Sequence, residues 1–203
     1  MLQQSFYDPH KTWNENFEKG PFGQFAKKTI YQQKGDPKFE FLGNPLYLPF
    51  GIPAGPVINS KYVKSAFDMG FDIVVYKTQR STQFPVNEFP NVLFLNTEGD
   101  LTIEKSQQPQ IGTLKNPKDL QHITITNSFG NPSRGPGYWV DDLKKAVSYE
   151  KTGQLLIMSV VGTIKEGFSA DDYYNDFAET AALAKNTNVK VIEVNLSCPN
   201  VAN

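Results

Sequence analysis

The chain of 203 residues is 39% hydrophobic and 13% aromatic, which is enough apolar material to bury a core in one domain or in part of a larger one. Its 20 lysines and arginines nearly balance 21 aspartates and glutamates, and no stretch concentrates either sign, so no nucleic-acid partner is expected. With only His10, His122 and Cys198 available, neither an internal disulfide nor a zinc site of the cysteine and histidine type can form, and no metal is expected.

The amino-terminal residues lack the charged and apolar regions of a secretory signal, and no apolar run approaches the length that spans a bilayer. These features predict a cytoplasmic protein with no membrane partner. Residues 1–38 are polar and aromatic without clear periodicity and end in a turn-rich run, so we interpret them as an extension of a main domain, residues 39–203. Four aromatic side chains would fasten the extension to that domain: Trp13, Phe17, Phe22 and Phe25.

From Phe39 onward, short apolar runs alternate with helical segments, as expected of βα units. Two short runs predict a hairpin that closes one end of a barrel, and a first strand then leads into a tight loop. A helix with Ser60 as its cap and a second, almost unbroken apolar strand follow. The predicted elements are the hairpin strands Phe39–Leu42 and Leu46–Leu48, the strand and loop Phe50–Gly55, the helix Ser60–Met69 and the strand Phe71–Tyr76.

A long excursion from about Thr78 to Thr126 separates these units from the rest, and excursions of that length usually carry function. Within it, Val92–Leu95 and Leu101–Ile103 have the composition of strands. The remaining predicted elements are a helix over Tyr138–Tyr149, a strand over Leu155–Val161, a helix capped at Ser169 that runs to about Lys185, and a strand over Val189–Val194.

The order of these elements fits an α/β fold, either the amino-terminal portion of a (β/α)8 barrel or most of a small doubly wound sheet. The pattern by itself leaves both open. No helix follows the last strand to cover it, which predicts a partial barrel without its carboxyl-terminal half.

Four polar clusters lie at or just after predicted strand ends: Ala54–Gly55, Tyr76–Thr78, Asn127–Gly130 and Asn195–Asn200. In a parallel barrel these ends meet on one face, so the clusters would form one site. Most have an ordinary explanation when taken singly, since Ala-Gly suits a turn and a lone cysteine is usually inert. A lysine ending an apolar strand is unusual in a core, and together with Asn127, Asn195 and Asn200 it suits a planar imide with donor and acceptor edges.

The motifs Asn-Leu-Ser-Cys-Pro-Asn at 195–200 and Asn-Ser-Phe-Gly-Asn-Pro-Ser at 127–133 resemble those of the dihydroorotate dehydrogenase family. Pro-Ala-Gly at 53–55, followed by a strand that ends in Tyr-Lys-Thr at 76–78, resembles the same family in order and spacing. The resemblance spans roughly residues 39–203. Two departures stand out: Asn131 replaces the usual leucine, and the usual Gly-Asn-Pro and Pro-Arg pattern after Lys77 is absent.

The resemblance implies an FMN-dependent (β/α)8 barrel that oxidises dihydroorotate, its small-molecule substrate, to orotate in pyrimidine synthesis. Cys198 would be the general base of a class 1-like enzyme, removing the C5 proton while a hydride passes from C6 to flavin N5. Lys77, Asn127, Asn195 and Asn200 would contact the substrate. The residues implied to line the flavin are Ala54, Gly55, Lys77, Thr78 and Asn195.

Two alternatives stay open at this point. A dihydropyrimidine dehydrogenase-like flavoenzyme shares the run Asn-Leu-Ser-Cys-Pro, although Asn200 stands where those enzymes usually have histidine. A non-catalytic fragment that needs a complementing half is the other, because an uncovered last strand invites association. The sequence also leaves open a homodimer and the electron acceptor, which could be fumarate, NAD or a quinone.

Overall fold

The computed structural model describes residues 6–27, 30–31, 33–97, 99–118 and 123–196. Its helices are α1 (Trp13–Lys19), α2 (Ser60–Asp68), α3 (Ile103–Ser106), α4 (Pro136–Val147) and α5 (Ala170–Lys185), with a short 3-10 helix over Gly23–Ala26. Its strands are β1 (Phe39–Phe41), β2 (Asn44–Leu46), β3 (Gly51–Ile52), β4 (Ile73–Gln79), β5 (Gln83–Phe84), β6 (Val92–Leu95), β7 (Gly112–Thr113), β8 (Thr124–Asn127), β9 (Ser133–Arg134), β10 (Leu155–Val160) and β11 (Val191–Val194).

The central element is a parallel sheet of four strands in the order β11-β10-β4-β3. The four parallel strands lie side by side in the same order as they follow one another along the chain, with the antiparallel strands β5–β9 inserted between β4 and β10. The order is not reversed at any point, whereas a doubly wound sheet has such a reversal. Chain order is what a (β/α)8 barrel requires of consecutive strands. The predicted α/β class is therefore confirmed, and the strand order favours the barrel, although the described residues do not close one.

The sheet buries different material on its two faces. One face packs against α2, α4 and α5 in the main core, to which β4 and β10 contribute alternate residues such as Val74 and Met158. The opposite face holds a smaller cluster of Leu46, Val75, Leu155 and Ile157. Burial on both faces explains why β10 reads as a continuous apolar run.

The predicted hairpin is confirmed as the antiparallel pair β1 and β2, but its second strand is Asn44–Leu46 rather than Leu46–Leu48. Its last residue, Leu46, is fully buried and belongs to the smaller cluster. Just beyond it, the backbone N–H of Leu48 donates to Asp72 Oδ2 at 2.6 Å, immediately before β4 begins. The hairpin is thus attached at the amino end of β4, opposite the end where polar residues were predicted to gather.

The amino-terminal extension contains a helix that the sequence analysis missed. Thr12 and Glu15 form a reciprocal capping box at the start of α1, a pattern of Thr-x-x-Glu that was available in the sequence. Trp13 and Phe17 enter the main core as expected, and Phe25 lies 4.3 Å from Phe6 between ring centroids. The extension is therefore continuous with the core that covers the sheet.

The excursion builds two small antiparallel sheets, β5 with β9 and β7-β6-β8. The predicted strand over Val92–Leu95 is confirmed. The predicted strand over Leu101–Ile103 is wrong: Thr102 accepts from the backbone N–H of Lys105 through its hydroxyl and starts α3 instead. A side-chain cap that satisfies the first amides of a helix outweighed the weak strand preference of three residues.

Several boundaries also differ from expectation. Asn59 rather than Ser60 caps α2, because its side chain accepts from the N–H of Lys61 while Ser60 bonds to Asp142. Helix α4 begins two residues early, with Pro136 in its first turn. Strand β4 continues to Gln79, whereas α5 begins after Ser169 and ends at Lys185 as predicted. No helix in the described part of the chain is long and apolar enough to cross a bilayer.

Candidate active site

The carboxyl end of β4 carries an irregularity that places two polar residues side by side. Tyr76 pairs with Met158 and Gln79 pairs with Val160, so both Lys77 and Thr78 stand opposite the single residue Ser159. An extra residue of this kind is a β-bulge, which re-aims side chains and is common beside active sites. No residue type in the sequence predicts the bulge.

Lys77 is buried, with 4% of its surface exposed. Its ammonium donates to Asn131 Oδ1 at 3.2 Å, and its backbone N–H donates to the carbonyl of Val57 at 2.8 Å. Burying a lysine is costly unless polar groups surround the ammonium. The loop after β8 therefore provides part of what keeps this cation at the strand end.

Thr78, Ser159 and Asn195 form a hydrogen-bonded row across the ends of three parallel strands. The hydroxyl oxygens of Thr78 and Ser159 are 3.0 Å apart, and Asn195 Nδ2 donates to Thr78 Oγ1 at 3.3 Å. The backbone N–H of Asn195 donates to the carbonyl of Val160 at 2.9 Å, which fixes the start of the segment after β11. The structure thus brings together two of the sequence-predicted site residues, Thr78 and Asn195.

Arg80 is the largest charged side chain that the described core encloses, with 1% of its surface exposed. Its guanidinium donates to the carbonyls of Asn131 and Gly162 at 3.0 and 2.9 Å, and it stacks over the ring of Phe84 at 3.9 Å. It therefore joins β4 to the loops after β8 and β10. Sequence reasoning missed it, although an arginine three residues after a buried lysine was a visible signal.

Asn127 is exposed and is the last residue of β8. It and Gly55 line a largely apolar cavity of about 550 Å³ between the extension and the β6-β8 sheet. Aromatic rings and polar groups share this lining, including Tyr7, Phe94, Phe129, Asn116, His10 and Asp8. Burial raises the pKa of Tyr7 above its ordinary value, so its phenol stays protonated at neutral pH.

His10 connects two segments at the rim of this cavity. Its Nδ1 lies 3.2 Å from Asp8 Oδ1, and its Nε2 lies 2.6 Å from the carbonyl oxygen of Leu114 in the excursion. From the sequence, His10 was weighed only as a metal ligand. Its contact 104 residues away in sequence has no local signature.

The remaining predicted residues divide into two groups. Ala54 is half-buried and packs against the smaller cluster, while Gly55 is exposed, and a Cβ added to Gly55 would meet no atom within 4 Å. A ligand could therefore approach this backbone closely. Cys198 and Asn200 lie outside the described residues.

The arrangement suits a planar heterocycle whose edges carry carbonyl and N–H groups. A buried ammonium, a threonine hydroxyl and a carboxamide gather at strand ends, and an apolar cavity with open space beside Gly55 lies at the end of β3. Few polar groups in a mostly apolar lining are typical of cofactor sites. On the structural features alone, the residues present fit a flavin and a small imide.

No family model matches the chain. Dihydroorotate dehydrogenase from Dictyostelium discoideum is 40% identical to it over 205 residues, which cover 98% of this chain and 55% of that protein. A crystal structure of DHODH from Eimeria tenella in complex with ferulenol has a TM-score of 0.55 and 19% identity, covering 79% of this chain and 36% of that one. The chain thus spans about half the length of the relative that it matches. The fold is similar to that of the Eimeria protein, and the resemblance inferred from the motifs is confirmed.

Proposed function

Because the chain is related to dihydroorotate dehydrogenase along nearly its whole length, we propose that it supplies the substrate-binding portion of an FMN-dependent enzyme that oxidises dihydroorotate to orotate. The row formed by Thr78, Ser159 and Asn195, with Lys77 beside it, is the observation that carries the proposal. These residues come from three different strands, so only the folded sheet assembles them. The identity of the substrate is inferred from the sequence motifs that resemble those of the dihydroorotate dehydrogenase family.

Lys77 and Asn195 hold the substrate and the flavin at the strand ends in this proposal. The Lys77 ammonium donates to carbonyl oxygens, and the Asn195 carboxamide both donates and accepts. Asn127 and Asn200 complete the substrate contacts from the end of β8 and from the segment after β11. Ala54, Gly55 and Thr78 line the flavin, where the space beside Gly55 lets the ring approach the backbone.

FMN, when bound, would accept the hydride that leaves C6 of dihydroorotate. The protein must remove the C5 proton, and we assign that step to Cys198, three residues after Asn195. A thiolate within hydrogen-bond reach of the carbon acid acts as a general base. Lys77 stabilises negative charge that develops on the ring oxygens once the proton has left.

Side-chain packing at the carboxyl ends of the strands also excludes water. Arg80, Trp139 and the residues around Asn131 fill the space behind Lys77, with Trp139 Nε1 donating to the carbonyl of Arg80 at 3.0 Å. A water-poor surrounding strengthens every hydrogen bond from the lysine and the carboxamides to the ligand. This packing supports the assignment of the strand ends, rather than the surface of the excursion, as the place of the chemistry.

Anaerobic reduction of bound FMN tests the proposal. Dihydroorotate is expected to bleach the visible flavin absorbance of the full-length protein, whereas uracil and dihydrouracil are not. Bleaching by dihydrouracil alone would favour the dihydropyrimidine dehydrogenase-like alternative. A protein that binds no flavin at any stage of purification would contradict both.

A further inference from the structure

Asn131 occupies a backbone position that most residues avoid. Its φ is +50°, directly after Gly130 at +73°, so two successive residues adopt left-handed conformations where the chain leaves β8. Asparagine is the residue other than glycine that tolerates this region best. Backbone conformation alone could therefore account for an asparagine here.

The side chain of Asn131 has a second set of properties that conformation does not explain. It is 4% exposed, and its Oδ1 accepts from the Lys77 ammonium at 3.2 Å. Its backbone carbonyl accepts from Arg80 Nε at 3.0 Å, so both cations of the β4 end contact the same residue. Its Nδ2 is buried and has no hydrogen-bond partner among the described residues.

Asn188 provides the comparison within the same chain. It also has a left-handed backbone, with φ at +66°, but it follows α5 and its side chain is exposed. An asparagine kept only for its conformation can leave its amide in water at no cost. A buried amide hydrogen without an acceptor destabilises the protein, so the burial of the Asn131 Nδ2 calls for a ligand oxygen.

We propose that Asn131 is a positioning residue for the Lys77 ammonium and that its Nδ2 donates to a carbonyl oxygen of the pyrimidine that Lys77 contacts. This inference rests on the proposed function. One carboxamide then has two uses, with Oδ1 fixing the cation and Nδ2 providing a second donor beside it. A leucine at this position could do neither.

Three variants separate the two uses. Asn131→Gly keeps the left-handed backbone and removes the amide, Asn131→Asp keeps an acceptor for Lys77 but has no donor, and Asn131→Leu removes both. Asn188→Gly and Asn188→Leu are the matched controls for conformation. The readout is the orotate-induced change in flavin absorbance of the full-length FMN-loaded protein, which gives the orotate dissociation constant without turnover.

Each Asn131 variant is expected to raise that dissociation constant about tenfold or more, the equivalent of one lost hydrogen bond of about 1.4 kcal/mol. Asn131→Leu is expected to change kcat as well, because Lys77 loses its fixed position, while Asn188 variants leave the constant unchanged. Wild-type affinity in all three Asn131 variants would overturn the inference while leaving the proposed function intact. A wild-type protein without an orotate-induced change would overturn both.

Discussion

Arg80 joins the end of β4 to the loops after β8 and β10 through a single buried guanidinium, and its removal would leave carbonyl groups without donors. Replacing it by methionine keeps much of the side-chain volume but leaves the carbonyls of Asn131 and Gly162 without their donor. Each buried unsatisfied acceptor costs about 1–3 kcal/mol, so we expect Arg80→Met to lower the free energy of unfolding by a few kcal/mol. Urea denaturation followed by circular dichroism measures this change.

Arg134→Met is the control for that experiment. Arg134 also stacks on an aromatic ring, with its guanidinium 3.9 Å from Phe17, but it is partly exposed, and its hydrogen bonds among the described residues go to surface groups, Asn14 and Glu18. We expect a loss of less than about 1 kcal/mol. If the two variants lose the same free energy of unfolding, the stabilisation by Arg80 comes from stacking on an aromatic ring and not from its bonds to buried carbonyls.

Much of the candidate site could be read from residue type, but its geometry could not. A lysine at the end of an apolar strand identified Lys77, and its burial follows from the strand around it. The bulge that sets Lys77 and Thr78 against Ser159 depends on pairing between strands about 80 residues apart. Asn127 ends β8, which pairs with β6 in an antiparallel sheet of the excursion, and no local pattern indicates that pairing.

At the scale of elements, Asp72 connects the hairpin to β4 and makes the stability of that junction depend on pH. Burial raises the pKa of Asp72 above its ordinary value, against the lowering effect of the bond from the Leu48 N–H. The native state then holds the proton more tightly than the unfolded chain. The resulting contribution to stability is fully present below the ordinary aspartate pKa and is lost as pH rises through the raised pKa.

Asp72→Asn removes this titration while keeping an acceptor for Leu48. We expect the free energy of unfolding of the wild type to fall, relative to that of the variant, as pH is raised from about 4 towards 7. Asp141→Asn, at an exposed carboxylate paired with Lys144, is the control for the loss of one surface carboxylate. A constant difference between wild type and Asp72→Asn across this range would contradict the assignment.

Regular elements with strong local signals were predictable, and short ones were not. Helix α5 has a capping serine, acidic first-turn residues and 16 residues of helical sequence, so its bounds agree with the prediction. Helix α3 has four residues, too few to show a helical periodicity in the sequence. Helix α1 was missed because its buried residues pack against α2 from a segment without long periodicity.

At the scale of the whole molecule, β3 and β11 are the two edge strands of the four-stranded sheet. Among the described residues, each of them pairs with a neighbouring strand on one side only. The side chains of β11 are correspondingly open, with Val194 52% exposed. A barrel fold would cover these edges with further strands. We therefore expect the 203-residue chain alone to retain much less than one FMN per chain, because loops of those strands usually hold the flavin phosphate.

Absorbance of the purified 203-residue chain after incubation with FMN and gel filtration measures this retention. The full-length protein is the control and should carry about one flavin. Stoichiometric flavin on the shorter chain as a monomer would contradict the expectation, and activity of that flavin-loaded monomer would also exclude the hypothesis of a non-catalytic fragment. Weak binding that becomes stoichiometric when a complementing half is added would support completion of the sheet.

Stopped-flow reduction of bound FMN by dihydroorotate, compared between wild type and Cys198→Ala, tests the central claim most directly. General-base catalysis contributes about 10²–10⁴ to the rate, so we expect the variant to bind flavin normally but to reduce it at least 100-fold more slowly. Cys198→Ser should recover part of the rate at high pH. Reduction of Cys198→Ala at the wild-type rate would contradict the assignment of the base, and a wild-type protein that holds FMN but is not reduced by dihydroorotate would contradict the proposed reaction.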